Sequence, residues 1–213
     1  MKKHLVWSVY VRIFHWSLAV CFLMPYFFKS YHKAFGTAFL VLAISRIIWG
    51  FGSVRYTKFS DFTFSGLFDY IKNALKSLKT KAKFDEKTKI YGGHNAASSY
   101  AILVMLIGGV FTSSFGLMIY FIKKGFIEVE DKKIVTNLLG DIHGVFAIFV
   151  FMVVVAHVLG VLIEKYRGGD SLNSMLIDGK KVNAKFDAKV SNFWKIFAVI
   201  SYATAIYTFI IMS

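Results

Sequence analysis

Residues 139–163 read LGDIHGVFAIFVFMVVVAHVLGVLI. The stretch holds one acid, Asp141, two histidines and no lysine or arginine. About 20 residues of helix cross a bilayer, so this run is long enough to span one. Working outward, four more apolar runs of similar length stand at about 9–28, 33–51, 96–122 and 193–212. The whole chain of 213 residues is 56% hydrophobic, where about 45–50% is usual for a soluble domain. The mean hydropathy is +0.56. These features predict an all-α integral membrane protein.

The formal net charge of +14 does not point to nucleic acid. The basic residues lie in the short connections between apolar runs, where they act as topology signals and anionic-lipid contacts. The N-terminal segment and the 53–95 and 164–192 connections carry 18 Lys and Arg, against 6 in the connections on the other side. The positive-inside rule puts the first group and the N-terminus in the cytoplasm. If the fifth run spans, the C-terminus lies outside. Cys21 is the only cysteine. One cysteine makes no disulfide within a chain, and without C-x-x-C-H there is no covalent haem attachment. The run 13–28 ends in Phe27-Phe28-Lys29 rather than small residues, so it reads as a retained helix.

The 53–95 connection is patterned. From 66 to 84, Leu67, Ile71, Leu75 and Leu78 alternate with Lys72, Lys76, Lys79, Lys81 and Lys83. Helical spacing with a basic face predicts a helix lying on the cytoplasmic leaflet.

The histidines carry the chemistry. His4 is in the charged N-terminus. His143 and His157 are 14 residues apart on one predicted helix. Fourteen residues turn about 1400° and rise about 21 Å, so both rings leave nearly the same face, one near each end. That spacing suits two stacked cofactors and cannot serve one ion. Each needs a partner at its own depth. His15 is early in the first run, at the inner side, and matches His157. His32 opens the second run from the outer side and matches His143. Imidazole is a common axial ligand of haem iron, and a haem is apolar enough to fill a helix bundle. Ionisable groups inside spans are costly and usually functional. Gly36, Gly144 and Gly160 lie beside these histidines, where they favour either a macrocycle or close helix packing. Zinc is disfavoured because no Cys, Asp or Glu completes a tetrahedral set.

Arg12, one turn before His15, and Arg46, near the inner end of the second run, have two readings. Either they neutralise propionates of an inner haem, or they snorkel to the interface. Asp141 either orients His143 or caps the fourth helix. His94, in Gly92-Gly93-His94-Asn95, has no partner left at its depth. It reads as a cap, propionate or quinone contact rather than an iron ligand.

Several segments together resemble one family. They are Arg12-Ile-Phe-His15-Trp16, His32-x-x-x-Gly36 running to Arg46-Ile-Ile-Trp49-Gly50, Gly93-His94-Asn95, and His143-Gly144 running to His157-x-x-Gly160. The chain resembles the prokaryotic cytochrome b561 family over about residues 7–182. It is most similar to the branch formed by cytochrome b subunits of nickel-iron hydrogenases. Tyr56-Thr-Lys-Phe-Ser-Asp61-Phe and Ser174-Met-Leu-Ile-Asp-Gly-Lys180 are also similar to that branch. The resemblance implies a four-helix haem-binding bundle with two haem b groups, which exchanges electrons between a redox partner protein and membrane quinone. It implies His15, His32, His143 and His157 as the ligands. It also implies a bacterial inner membrane location. Three features depart from the pattern: the fifth run, Ala96 where proline is common, and a very short first outer connection.

The expected organisation is a cytochrome b561-like domain over 1–182, with an amphipathic insert at about 53–92. A C-terminal extension over 183–213 carries the fifth helix. Two other functions compete. One is a stand-alone superoxide/quinone oxidoreductase of the same family, which needs no protein partner. The other is a non-haem membrane anchor whose histidines only hydrogen-bond between helices.

Overall fold

A computed structural model describes residues 3–80, 93–182 and 184–213. Five helices are long and apolar enough to cross a membrane. They are α1 (Val9–Phe27), α2 (His32–Gly50), α4 (Ala96–Lys124), α5 (Lys132–Tyr166) and α7 (Asn192–Met212). Between α2 and α4 lies α3 (Leu67–Thr80), and the short α6 (Ser171–Asn173) follows α5. The predicted amphipathic helix is therefore present as α3, with residues 81–84 outside the described part. Two short strands, β1 (His4–Leu5) and β2 (Lys180–Lys181), pair antiparallel.

The contacts divide the chain into two units. Unit 1 is Met1–Ile13, Ile48–Leu103 and Val154–Lys195, and unit 2 is Phe14–Ile47, Val104–Val153 and Ile196–Ser213.

Unit 1 is knitted by polar backbone. β1 pairs His4 with Lys181 and Leu5 with Lys180. The amides of Val6 and Trp7 both donate to the carbonyl of Gly179. Gly179 has φ +73°, and a Cβ there would collide with the Trp7 carbonyl, so only glycine suits the turn. Trp49 is fully buried, and its indole N–H donates to Thr57 at 3.0 Å. Trp194, in the first turn of α7, packs on Trp49 with ring centroids 5.3 Å apart. Its indole also fills the place that a side chain at Gly52 would take. Tyr56 holds a left-handed backbone, φ +68°. The Asp61 carboxylate accepts from its N–H at 2.8 Å, and its hydroxyl donates to the Phe186 carbonyl at 2.9 Å. Two such bonds offset a conformation that costs a residue with a Cβ about 1–2 kcal/mol.

Unit 2 is packed by small residues. Gly109 faces the ring of Phe39, and Gly108 faces Val150. In lipid, glycines allow the close backbone approach that drives helix association. α7 buries Ala198, Ser201 and Ala205, spaced i, i+3 and i+7 on one face. Its Tyr202 packs on Phe14, and Phe209 packs on Phe35 and stacks on Tyr31. The fifth helix thus lies against α1 and α2. Half of the α2 span is buried (50%), against 6% for α5. α5 therefore leaves most of its apolar surface uncovered by the rest of the chain.

Two capping expectations need correction. α5 begins at Lys132, and the Asp131 carboxylate accepts from the Ile134 N–H at 2.9 Å. Asp131 is the cap, and Asp141 sits well inside the helix. At the start of α4 the Asn95 side chain accepts from the Ser98 N–H at 2.8 Å. Asn95 caps α4, and His94 does not.

Candidate functional site

His32 opens α2 and His143 lies in the third to fourth turn of α5. Both belong to unit 2, and their ring centroids are 5.9 Å apart with planes tilted by 58°. The depth match read from the sequence brings these two rings together.

The His143 ring is held from behind. Nδ1 of His143 lies 2.8 Å from the Thr112 carbonyl oxygen. A carbonyl can only accept, so Nδ1 carries the proton and donates, leaving the lone pair on Nε2. The Thr112 oxygen has two lone pairs, so it can serve its own helix and this ring. One turn on, a Cβ at Gly116 would sit 3.2 Å from Cε1 and 3.3 Å from Nδ1 of His143. Gly116 leaves the room the ring occupies. The backbone carbonyl of Pro25 lies near enough to the His32 ring to act on it electrostatically. That carbonyl lies in the last turn of α1, where helix oxygens lack helical partners.

These features test whether the residues fit a haem. A metal-binding histidine nearly always donates its other ring N–H to a carbonyl or carboxylate. His143 meets this condition through the Thr112 carbonyl. A metal–nitrogen bond of about 2 Å puts two opposed imidazole centroids about 6 Å apart. Gly36, Gly140 and Gly144 flank the pair, and a Cβ at any of them meets nothing within 4 Å. Room beside both histidines is left by the protein itself. The donor set is neutral imidazole only, which suits iron held in a porphyrin. Among the described residues, no cluster of three or more His, Cys, Asp or Glu could hold a bare ion. The residues fit the group.

The other predicted residues fall in both units. His15 is in unit 2, half-buried, with Trp16 edge-on at 5.0 Å. His157 is in unit 1, half-buried on α5 with Gly160 open beside it. Arg46 is 8% exposed, so its guanidinium is enclosed rather than reaching solvent. Arg12 donates to the Ile177 carbonyl at 2.6 Å.

His94 has a different setting. Its ring meets Trp7 at a tilt, 4.9 Å between centroids, and Phe62 edge-on at 4.8 Å. Beyond Trp7, the Lys181 ammonium sits 5.4 Å from the indole centroid. Lys181 is nearly buried. It donates to the Ser171 hydroxyl at 2.8 Å, which donates to Glu164 at 2.6 Å. Burial pushes the Lys181 ammonium below its usual range, while Glu164 and Asp170 act against that.

Sequence reading missed four of these supports: Thr112, Gly116, Pro25 and the Trp7–Phe62 pair around His94. Gly116 gave one weak signal, a small residue inside a span. The carbonyls of Thr112 and Pro25 gave none, because every residue carries one.

The model of one family, prokaryotic cytochrome b561, matches residues 6–177. No curated protein and no solved structure matches the chain. The family match covers most of the chain and agrees with an all-α membrane architecture. The resemblance read from the histidine segments is thereby established, and this chain belongs to the prokaryotic cytochrome b561 family, whose members bind haem b and transfer electrons in the membrane.

Proposed function

We propose that the chain is a di-haem b-type cytochrome carrying electrons between a redox partner subunit and the quinone pool. The observation that carries this reading is the His32–His143 pair, 5.9 Å between centroids, with Nδ1 of His143 tied to the Thr112 carbonyl. His32 and His143 are the proposed ligands of the outer haem. His15 and His157 are proposed for the inner one. Support for the inner pair comes from the sequence: His157 lies 14 residues from His143 on the same helix. That is about 21 Å of rise, too far for one cofactor.

The haems supply one-electron redox chemistry; the protein supplies ligation, orientation and burial, which set the potential. The Thr112 carbonyl fixes the His143 ring and strengthens that imidazole as a donor. Arg46, enclosed near the inner end of α2, is proposed to neutralise a propionate of the inner haem. Arg12 is proposed for the same role. His94 is proposed as a contact for quinone. The apolar walls of Trp7 and Phe62 suit a flat ring, and the imidazole offers it a hydrogen bond. The excess of Lys and Arg on one side supports a cytoplasmic N-terminus in a bacterial inner membrane.

Haem per chain, measured by the pyridine haemochrome assay on purified protein, tests the reading. The expected value is about two. A value near one means that one ligand pair is vacant. A protein without haem returns the histidines to interhelical hydrogen bonding. Turnover of the isolated chain with quinone and superoxide would instead favour the self-contained oxidoreductase.

A further inference from the structure

α3 shows three stripes when its residues are placed at about 100° intervals. Leu67, Tyr70 and Ala74 form one stripe and are half-buried. Phe68, Ile71 and Leu75 form the next, exposed by 85%, 43% and 56%. Lys72 and Lys76 border that apolar row on its far side and are exposed. A soluble surface does not expose a contiguous apolar row of this kind without a partner.

The row has a continuation. Phe64, just ahead of α3, packs edge-on against Tyr100 at 5.3 Å. Tyr100 is itself exposed, in the second turn of the spanning helix α4. The apolar row of α3 therefore joins the exposed surface at the end of a helix that crosses the bilayer. Tyrosine at that depth is typical of a membrane interface. The basic border completes the pattern of an interfacial helix, with its apolar face among acyl chains and lysines among headgroups.

α3 is also fastened to the site corner. The Asn95 side chain donates to the Tyr70 hydroxyl at 2.9 Å. Asn95 caps α4 and directly follows His94.

From this we infer that α3 is a lipid-binding helix, seated in the leaflet at the start of α4 and selective for anionic headgroups. Lipid is the occupant because the row is continuous with a lipid-facing span and bordered by cations. Through Tyr70 and Asn95, the seated helix holds the His94 corner in place.

The test uses the full-length haem-loaded protein in phosphatidylcholine bilayers with and without phosphatidylglycerol. A nitroxide is placed by Phe68→Cys, and another by Asp69→Cys, in a Cys21→Ala background. Label 68 should be open to oxygen and shielded from a water-soluble nickel reagent, and label 69 the reverse. Each surface lysine is worth about a fivefold change in partition onto an anionic membrane. Lys72→Gln with Lys76→Gln should therefore weaken the phosphatidylglycerol preference by about 25-fold and leave haem content unchanged. Hydrogen exchange over 67–80 in the unmodified chain gives a second readout that needs no variant. It should slow when phosphatidylglycerol is present. The inference fails if label 68 stays open to the nickel reagent in both bilayers and exchange is the same in both. It fails equally if protection appears only when a soluble protein partner is added.

Discussion

His143 and His94 make an instructive pair. His143 lies inside a spanning helix and His94 just ahead of one, and neither is fully exposed. His143 has one nitrogen tied to a carbonyl at 2.8 Å, a second histidine ring 5.9 Å away, and open glycines at its sides. His94 is in ring contact with Trp7 and, edge-on, with Phe62. The first setting pairs one imidazole with another and ties it from behind. The second sets the ring among aromatic side chains. The surroundings, more than the residue type, separate a proposed ligand from a proposed contact.

The largest expected effect comes from breaking the first setting. His143→Ala and His32→Ala should each lower haem to about one per chain and remove the same spectral component. If the two variants lose different components, the pair is wrong. His94→Phe should leave haem content unchanged while weakening the reaction with quinone, seen as a raised KM. Haem loss in that variant would make His94 a ligand and undo the contrast.

A finer probe acts behind His143. Gly116→Val should push the ring off its carbonyl and weaken outer haem affinity by about 10–100-fold, the usual cost of disturbing a ligand's support. An unchanged titration would mean that the Thr112 bond does not orient the ring.

The smallest effect concerns Lys181. Burial lowers its pKa from the ordinary 10.5. Between the lowered value and 10.5 the folded chain binds fewer protons than the unfolded chain, so stability should rise with pH through that window. Below it the desolvation cost remains in full. Lys181→Met should flatten the rise, measured as the thermal midpoint in detergent. An identical slope in both proteins would show that the ammonium is not desolvated.

Much of the fold was legible in the sequence. Long uncharged runs leave few choices, because unpaired backbone in lipid is too costly for anything but helix or closed barrel. Helix ends were less legible. α5 has 35 residues, about 52 Å of helix against a hydrocarbon core of about 30 Å. Hydropathy reports only the part inside lipid, so the run from Lys132 went unseen and Asp141 was read as a possible cap. In the site, the nearness of His32 and His143 followed from depth along the helices. Its supports did not, since a backbone carbonyl leaves no mark in sequence and the gap beside Gly116 exists only once α4 and α5 are packed.

One feature of unit 1 bears on how the chain is made. Strand β1 pairs with residues 180–181, and the Gly179 turn receives the amides of Val6 and Trp7. A ribosome adding about 5–20 residues per second needs roughly 9–35 s to travel between those two strands. For all that time the first span is in the bilayer while its leading segment has no mate. Strand β1 thus waits for its mate until the fourth span has been delivered, and its closure marks that delivery.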